Sequence, residues 1–156
     1  MNNNQKIIDE LHKAYWAEME TVMNYLAHAT NLDGVSAEEI KEKLNNEIND
    51  ELGHAKKIAS RIKELNGKVD GSDTFLATQK SLQAIDDTTD VKYVIDGVID
   101  AENEAINTYK NIIKISEGND FVTQDLATQI LADEETHKTV FEGFKKEFVT
   151  SEVELN

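Results

Sequence analysis

The chain has no cysteine and no proline, and only seven of its residues are glycine. Without cysteine it carries no disulfide, no thiolate metal site, no iron–sulfur cluster and no rubredoxin-type Cys-x-x-Cys module, while a reducing compartment stays open to it. Without proline, and with so little glycine, little interrupts long helices, and the recurring Glu, Lys, Ala, Leu and Ile favour them. Long apolar runs are missing too. No stretch approaches the roughly 18 residues that cross a bilayer, and the polar opening MNNNQKIIDELHK lacks a signal-peptide core. A cytoplasmic protein without membrane attachment is expected. Positive charge is the last deficit: Lys and Arg total 16 against 31 Asp and Glu, for a net charge of −15. Such a field repels nucleic acid, and no basic patch interrupts it. The acidity serves solubility and the gathering of cations equally well.

What is present is helical periodicity over 156 residues, the length of one domain spanning 1–156. Apolar or inward positions recur at Ile7, Ile8, Leu11, Ala14, Tyr15, Val22, Tyr25 and Leu26, predicting a first helix from Asn4 to about Asn31. It stops near Asp33-Gly34. Ser36 with Glu39 reads as a capping box opening a second helix that ends at Asn66-Gly67. Residues 68–89 suit a crossover, with a short helix predicted over Thr74 to Ile85. A third run carries Val94, Val98, Ile106 and Ile113 up to the Glu117-Gly118-Asn119 break, and a fourth carries Phe121, Ile130, Phe141 and Phe148. The tail from Thr150 to Asn156 is expected to be loosely ordered. The fold class is all-α: a four-helix bundle with a long connection between the second and third helices.

Polar residues interrupt the apolar stripe of each helix: Glu18 on the first, Glu51 and His54 on the second, Glu102 on the third, Glu134 and His137 on the fourth. Four ionised carboxylates in one core repel strongly, so that core needs cations or protons to stand. Each Glu-x-x-His pair presents both side chains on one helix face and can hold one metal ion by oxygen and nitrogen. Glu18 and Glu102 complete a carboxylate-rich shell with one imidazole per ion, suited to iron or manganese.

The chain also repeats itself. Glu18 precedes Glu51 by 33 residues and Glu102 precedes Glu134 by 32, and Tyr25 and Tyr109 each follow the first Glu of their half by seven. Both halves read Asp-Glu-x-x-His, at Asp50 to His54 and at Asp133 to His137. One such pair is a weak signal, whereas the conjunction of all these spacings is specific. Asp50 and Asp133 are expected to accept the second ring N–H of a ligand histidine, each from the other half. Tyr25 and Tyr109 are expected to hydrogen-bond a ligand carboxylate. His12, in Asp9-x-x-His12, is read as a surface or interface residue and His28 as a satisfied core or interface histidine rather than one lining an approach to the site. Glu20, Glu104 and Glu135 are expected in solvent, and Trp16 and Met19 in packing or subunit contacts.

With these residues placed, the chain resembles the ferritin-like superfamily, and most closely a bacterioferritin, through EMETVMNYLAHA (18–29), DELGHA (50–55) and ADEETH (132–137). The resemblance implies a ferroxidase centre of two iron ions (manganese being possible) that oxidises Fe(II) with O2 or H2O2. It also implies ferric product stored in a homo-oligomeric shell. Its bridging ligands would be Glu51 and Glu134. The methionine that ligates haem in bacterioferritins is replaced by Leu52, so no haem is expected. Bacterioferritins continue into a fifth helix that lines pores in a 24-subunit shell, whereas 19 residues follow His137 here, most of them needed to finish the fourth helix, so a dimer, a 12-mer and a 24-mer all stay open. Ala105 stands where rubrerythrins carry a further Glu. A Dps-like protein with a bacterioferritin-type site, in a twelve-subunit shell, is similar in length. The alternatives are a dimeric, non-storing di-iron or di-manganese peroxidase or catalase, and a metal-free helical interaction module.

Overall fold

The computed structural model describes residues 3–154. Among them the architecture is all-α: α1 (Asn3–Asn31), α2 (Glu38–Glu64), α3 (Val91–Ser116) and α4 (Phe121–Glu154), with no strand. Helices α1 and α2 form one hairpin and α3 and α4 another, and α1 also lies against α3. The chain crosses between the hairpins over residues 65–90.

Local chemistry sets the helix ends. After α2, Asn66 adopts φ 66° and the Gly67 N–H returns to the Ile62 carbonyl at 2.8 Å, a Schellman closure. Gly118, at φ 70°, takes the same left-handed position after α3. Asp90 caps α3 by accepting the Tyr93 N–H at 2.9 Å, and Asp120 caps α4 by accepting the Thr123 N–H at 3.0 Å. The Ser36–Glu39 capping box does not form. A 3-10 turn, Val35–Ala37, leads into α2 through Ala37 in helical conformation, so the turn's own carbonyls take the first N–H groups and no hydroxyl is needed. Helix α4 continues to Glu154, past the expected loosening at Thr150, and residues 155–156 lie outside the described residues.

The short helix expected over 74–85 is also absent. Beyond a 3-10 turn at Ser72–Thr74 the crossover is an irregular strap whose backbone groups are satisfied from the helices it crosses. Glu20 accepts the N–H groups of Thr78 and Gln79, His28 Nε2 meets the Leu82 carbonyl at 2.8 Å, and the Tyr93 hydroxyl donates to the Gln83 carbonyl. The strap also explains a misplaced face on α1. Asn24 and His28 are buried beneath it while Leu26, expected inward, is 53% exposed. Phe121 is likewise 71% exposed, and Thr123 and Ala127 take the inward positions.

The core is split in two. One apolar cluster gathers Leu44, Leu82, Ile95, Val98 and Phe141, the other Ile7, Leu11, Ile58, Ile62 and Ile112. Between them lies a buried polar layer with a side chain from every helix.

Candidate metal centre

That layer contains Glu18, Glu51, His54, Glu102, Glu134 and His137, each no more than 4% exposed. The structure thus brings all six sequence-predicted ligands together. Two sets of donor atoms lie mutually within 4.8 Å: one from Glu18, Glu51, His54 and Glu134, the other from Glu51, Glu102, Glu134 and His137. Glu51 and Glu134 belong to both. His54 Nδ1 lies 2.9 Å from Glu134 Oε1, and His137 Nδ1 lies 3.1 Å from Glu51 Oε1. The other ring nitrogens turn outward, His54 Nε2 to Asp133 Oδ2 at 2.9 Å and His137 Nε2 to Asp50 Oδ2 at 3.4 Å. A proton held on Nε2 leaves the Nδ1 lone pair of each imidazole pointing into the cluster. The Tyr25 hydroxyl donates to Glu102 at 2.6 Å, and the Tyr109 hydroxyl donates to Glu18.

Protons balance the charge of this cluster. Burial pushes Glu18 and Glu102 well above the usual carboxylate range, reinforced by Glu51 for the first and Glu134 for the second. Burial would raise Glu51 and Glu134 too, but hydrogen bonds from Glu18 or Glu102 and from both histidines outweigh it, and both are held low. Burial opposes charge on the histidines, yet hydrogen bonds to Glu134 and Glu51 raise His137 to about 11, and Glu134, Glu18 and Glu51 raise His54 further. The histidines are thus held toward their charged form beside Glu51 and Glu134, and Glu18 and Glu102 toward their neutral form. The donor set fits a pair of hard divalent cations. Glu102 Oε2 is buried without a hydrogen bond, as a lone pair that serves a metal would be.

Other residues fall outside the donor sets. His12 Nε2 accepts the Asp70 N–H at 3.1 Å and pins the chain after α2. Glu104 and Glu135 are exposed, and Trp16, Met19 and Leu52 are half-buried. Glu20 is not in solvent: it is 3% exposed, because the strap covers it. Glu47, which sequence reasoning missed, is fully buried one turn before Glu51. Neither of its oxygens has a hydrogen bond, and Lys43 Nζ lies 3.3 Å away. Its i−4 spacing from Glu51 was the available signal. A cavity of about 330 Å³ opens between α1 and α3 and reaches Glu18, Glu51, Glu102 and Glu134.

A four-helix bundle with a buried, internally duplicated carboxylate and imidazole cluster defines a class of metal-binding proteins. The chain belongs to the ferritin family: the family's ferritin-like domain matches residues 8–148. It is 29% identical to the bacterioferritin of Desulfovibrio desulfuricans over 139 residues, 88% of this chain and 73% of that protein. A crystal structure of bacterioferritin from that species, describing its diiron site in different catalytic states, superposes with a TM-score of 0.80 at 26% identity, covering 96% and 83% of the two chains. The DNA protection during starvation protein of Pyrococcus furiosus is 27% identical over 140 residues, 88% of this chain and 76% of that one. The bacterioferritin-related dodecameric thioferritin of Bacteroides fragilis superposes with a TM-score of 0.87 at 25% identity, covering 97% and 90% of the two chains.

Proposed function

We propose that this protein is a ferroxidase that takes up Fe(II) as substrate, oxidises it within one subunit and stores the ferric product in a homo-oligomeric shell. The observation that carries the proposal is the pair of overlapping donor sets sharing Glu51 and Glu134. One ion would be held by Glu18 and His54, the other by Glu102 and His137, with the shared carboxylates between them. Each Fe(II) gives up one electron, and a two-electron oxidant, O2 or H2O2, accepts both and leaves as H2O2 or water.

The residues supply the rest. Asp133 and Asp50 fix the imidazole tautomers, Tyr109 and Tyr25 hold Glu18 and Glu102 in place, and the two apolar clusters keep bulk water from the layer. Iron is the metal named for the Desulfovibrio site, and the Bacteroides relative is a dodecamer, which supports a shell of that kind. Anaerobic titration should bind two Fe(II) per chain, and admission of oxidant should then give a fast rise in ferric absorbance. Glu51→Ala and His137→Ala should each slow that phase by more than the roughly 10–100-fold that loss of a ligand's hydrogen-bond partner costs, with helical content retained. Wild-type rates in either variant would remove the assignment.

A further inference from the structure

The cavity that reaches the carboxylates is bounded by helix on two sides and by the crossover strap on the third. Ala17 of α1 and Ala101 and Ala105 of α3 leave room between the helices, while Leu76, Thr78 and Gln79 of the strap close over it. The strap is fixed at both ends. His12 holds the Asp70 N–H at 3.1 Å, and Leu82 is fully buried against α3 where Gly97 lets the Ser81 carbonyl approach. Between these anchors Phe75 is half-buried beside Tyr15, Trp16, Met19 and Met23, but over the cavity itself Leu76 is 78% exposed and gives no hold.

A single carboxylate ties down the middle. Glu20 accepts the Thr78 N–H at 2.8 Å and 3.1 Å, the Gln79 N–H at 3.0 Å and the Thr78 hydroxyl at 3.2 Å. Gln79 then donates to Thr21 Oγ1 at 2.6 Å and accepts from Asn24 Nδ2 at 3.0 Å. Glu20 itself lines the cavity two residues along α1 from Glu18. A tie made of polar groups can be broken and remade in water, unlike the apolar anchor at Leu82, and it costs little to reopen because each partner is solvated once released.

We infer that Glu20 is a positioning residue that latches the crossover strap across the access route to the metal centre, so that release of this latch sets the rate at which ions reach it. The inference rests on the ferroxidase reading for the site itself, and a non-oxidisable probe separates the two. Co(II) added to the purified protein should develop ligand-field absorbance to two ions per chain, read by stopped flow for rate and by titration for capacity. Hydrogen exchange at the Thr78 and Gln79 amides reports the latch directly.

Glu20→Ala should speed both amide exchange and Co(II) loading by roughly tenfold, the loss of one charge-assisted acceptor, with capacity still two. Glu20→Gln, which keeps one acceptor oxygen, should fall between. Gln79→Ala loosens the same tie from the other side and serves if Glu20→Ala does not fold. Faster exchange with an unchanged loading rate would overturn the inference, because the route would then not pass the strap. A drop in capacity at the wild-type rate would overturn it as well, by making Glu20 an ion ligand. Failure of the unsubstituted protein to take up Co(II) would instead overturn the metal site.

Discussion

Single residues show where helical spacing informs and where it stops. The six clustered side chains were legible because each interrupts an apolar stripe and because the pattern occurs twice, at a constant offset of 83 residues for Asp50, Glu51 and His54. The same offset pairs Glu47 with Ile130, so the duplication breaks at one buried position and matched pairs do not reveal Glu47. Burial is the main reason its carboxyl is pushed up to about 7 from 4.5, against the lowering influence of His137 and Lys43. A carboxyl that binds its proton more tightly in the folded than in the unfolded chain favours folding while protonated. Its contribution is complete below pH 4.5 and is lost as pH rises to about 7. Glu47→Gln should therefore leave the metal-free protein's stability unchanged near pH 4 and raise it by up to about 3 kcal/mol near pH 8. Urea denaturation at the two pH values checks this. A gain of equal size at both would mean that packing, not charge, is responsible. Glu20 escaped for another reason. Its exposure is decided by a strap some 58 residues away in sequence, which no local pattern encodes.

At the scale of elements, the four helices and their breaks followed from periodicity and from Gly34, Asn66-Gly67 and Gly118. The crossover did not. TFLATQKSLQAI has helical composition, but its backbone is bound by side chains of α1 and α3, and tertiary contacts override a weak propensity in so short a segment. The Ser36–Glu39 pair failed similarly, because a preceding 3-10 turn had already met the need for a cap. Gly97 tests the seating of the strap. A Cβ there would stand 2.4 Å from the Ser81 carbonyl oxygen and 3.0 Å from Leu82 Cδ1. On helix propensity alone Gly97→Ala should stabilise α3 by about 1 kcal/mol. The backbone contact cannot yield as a flexible side chain would, so the substitution should cost roughly 1–3 kcal/mol net. A lowered urea midpoint, together with faster amide exchange between Ser81 and Thr89, is the expected signature. A raised midpoint would mean that the strap is free to shift.

Across the whole molecule, close packing runs within each hairpin, α1 with α2 and α3 with α4, and the seam between the hairpins is thinner. The polar layer straddles that seam. Each donor set draws on both hairpins, three ligands from one and Glu134 or Glu51 from the other, so two bound ions would staple the halves together. In the metal-free protein protons do this work, favoured on His54 and His137 by the neighbouring carboxylates and on Glu18 and Glu102 by burial. Bound dications would displace those protons, so loading should release protons and bind more tightly as pH rises. It follows that a divalent ion at a hundredfold excess over its dissociation constant should stabilise the fold by about 2.7 kcal/mol per site. The rise in melting temperature should be larger at pH 8 than at pH 6. Differential scanning calorimetry with Co(II) or Mn(II) measures the rise, and an indicator dye in weak buffer counts the protons. Glu51→Ala removes a donor shared by both sets, so it should abolish the metal-dependent rise. A rise that survives in Glu51→Ala would place the stabilising ions elsewhere on this acidic surface.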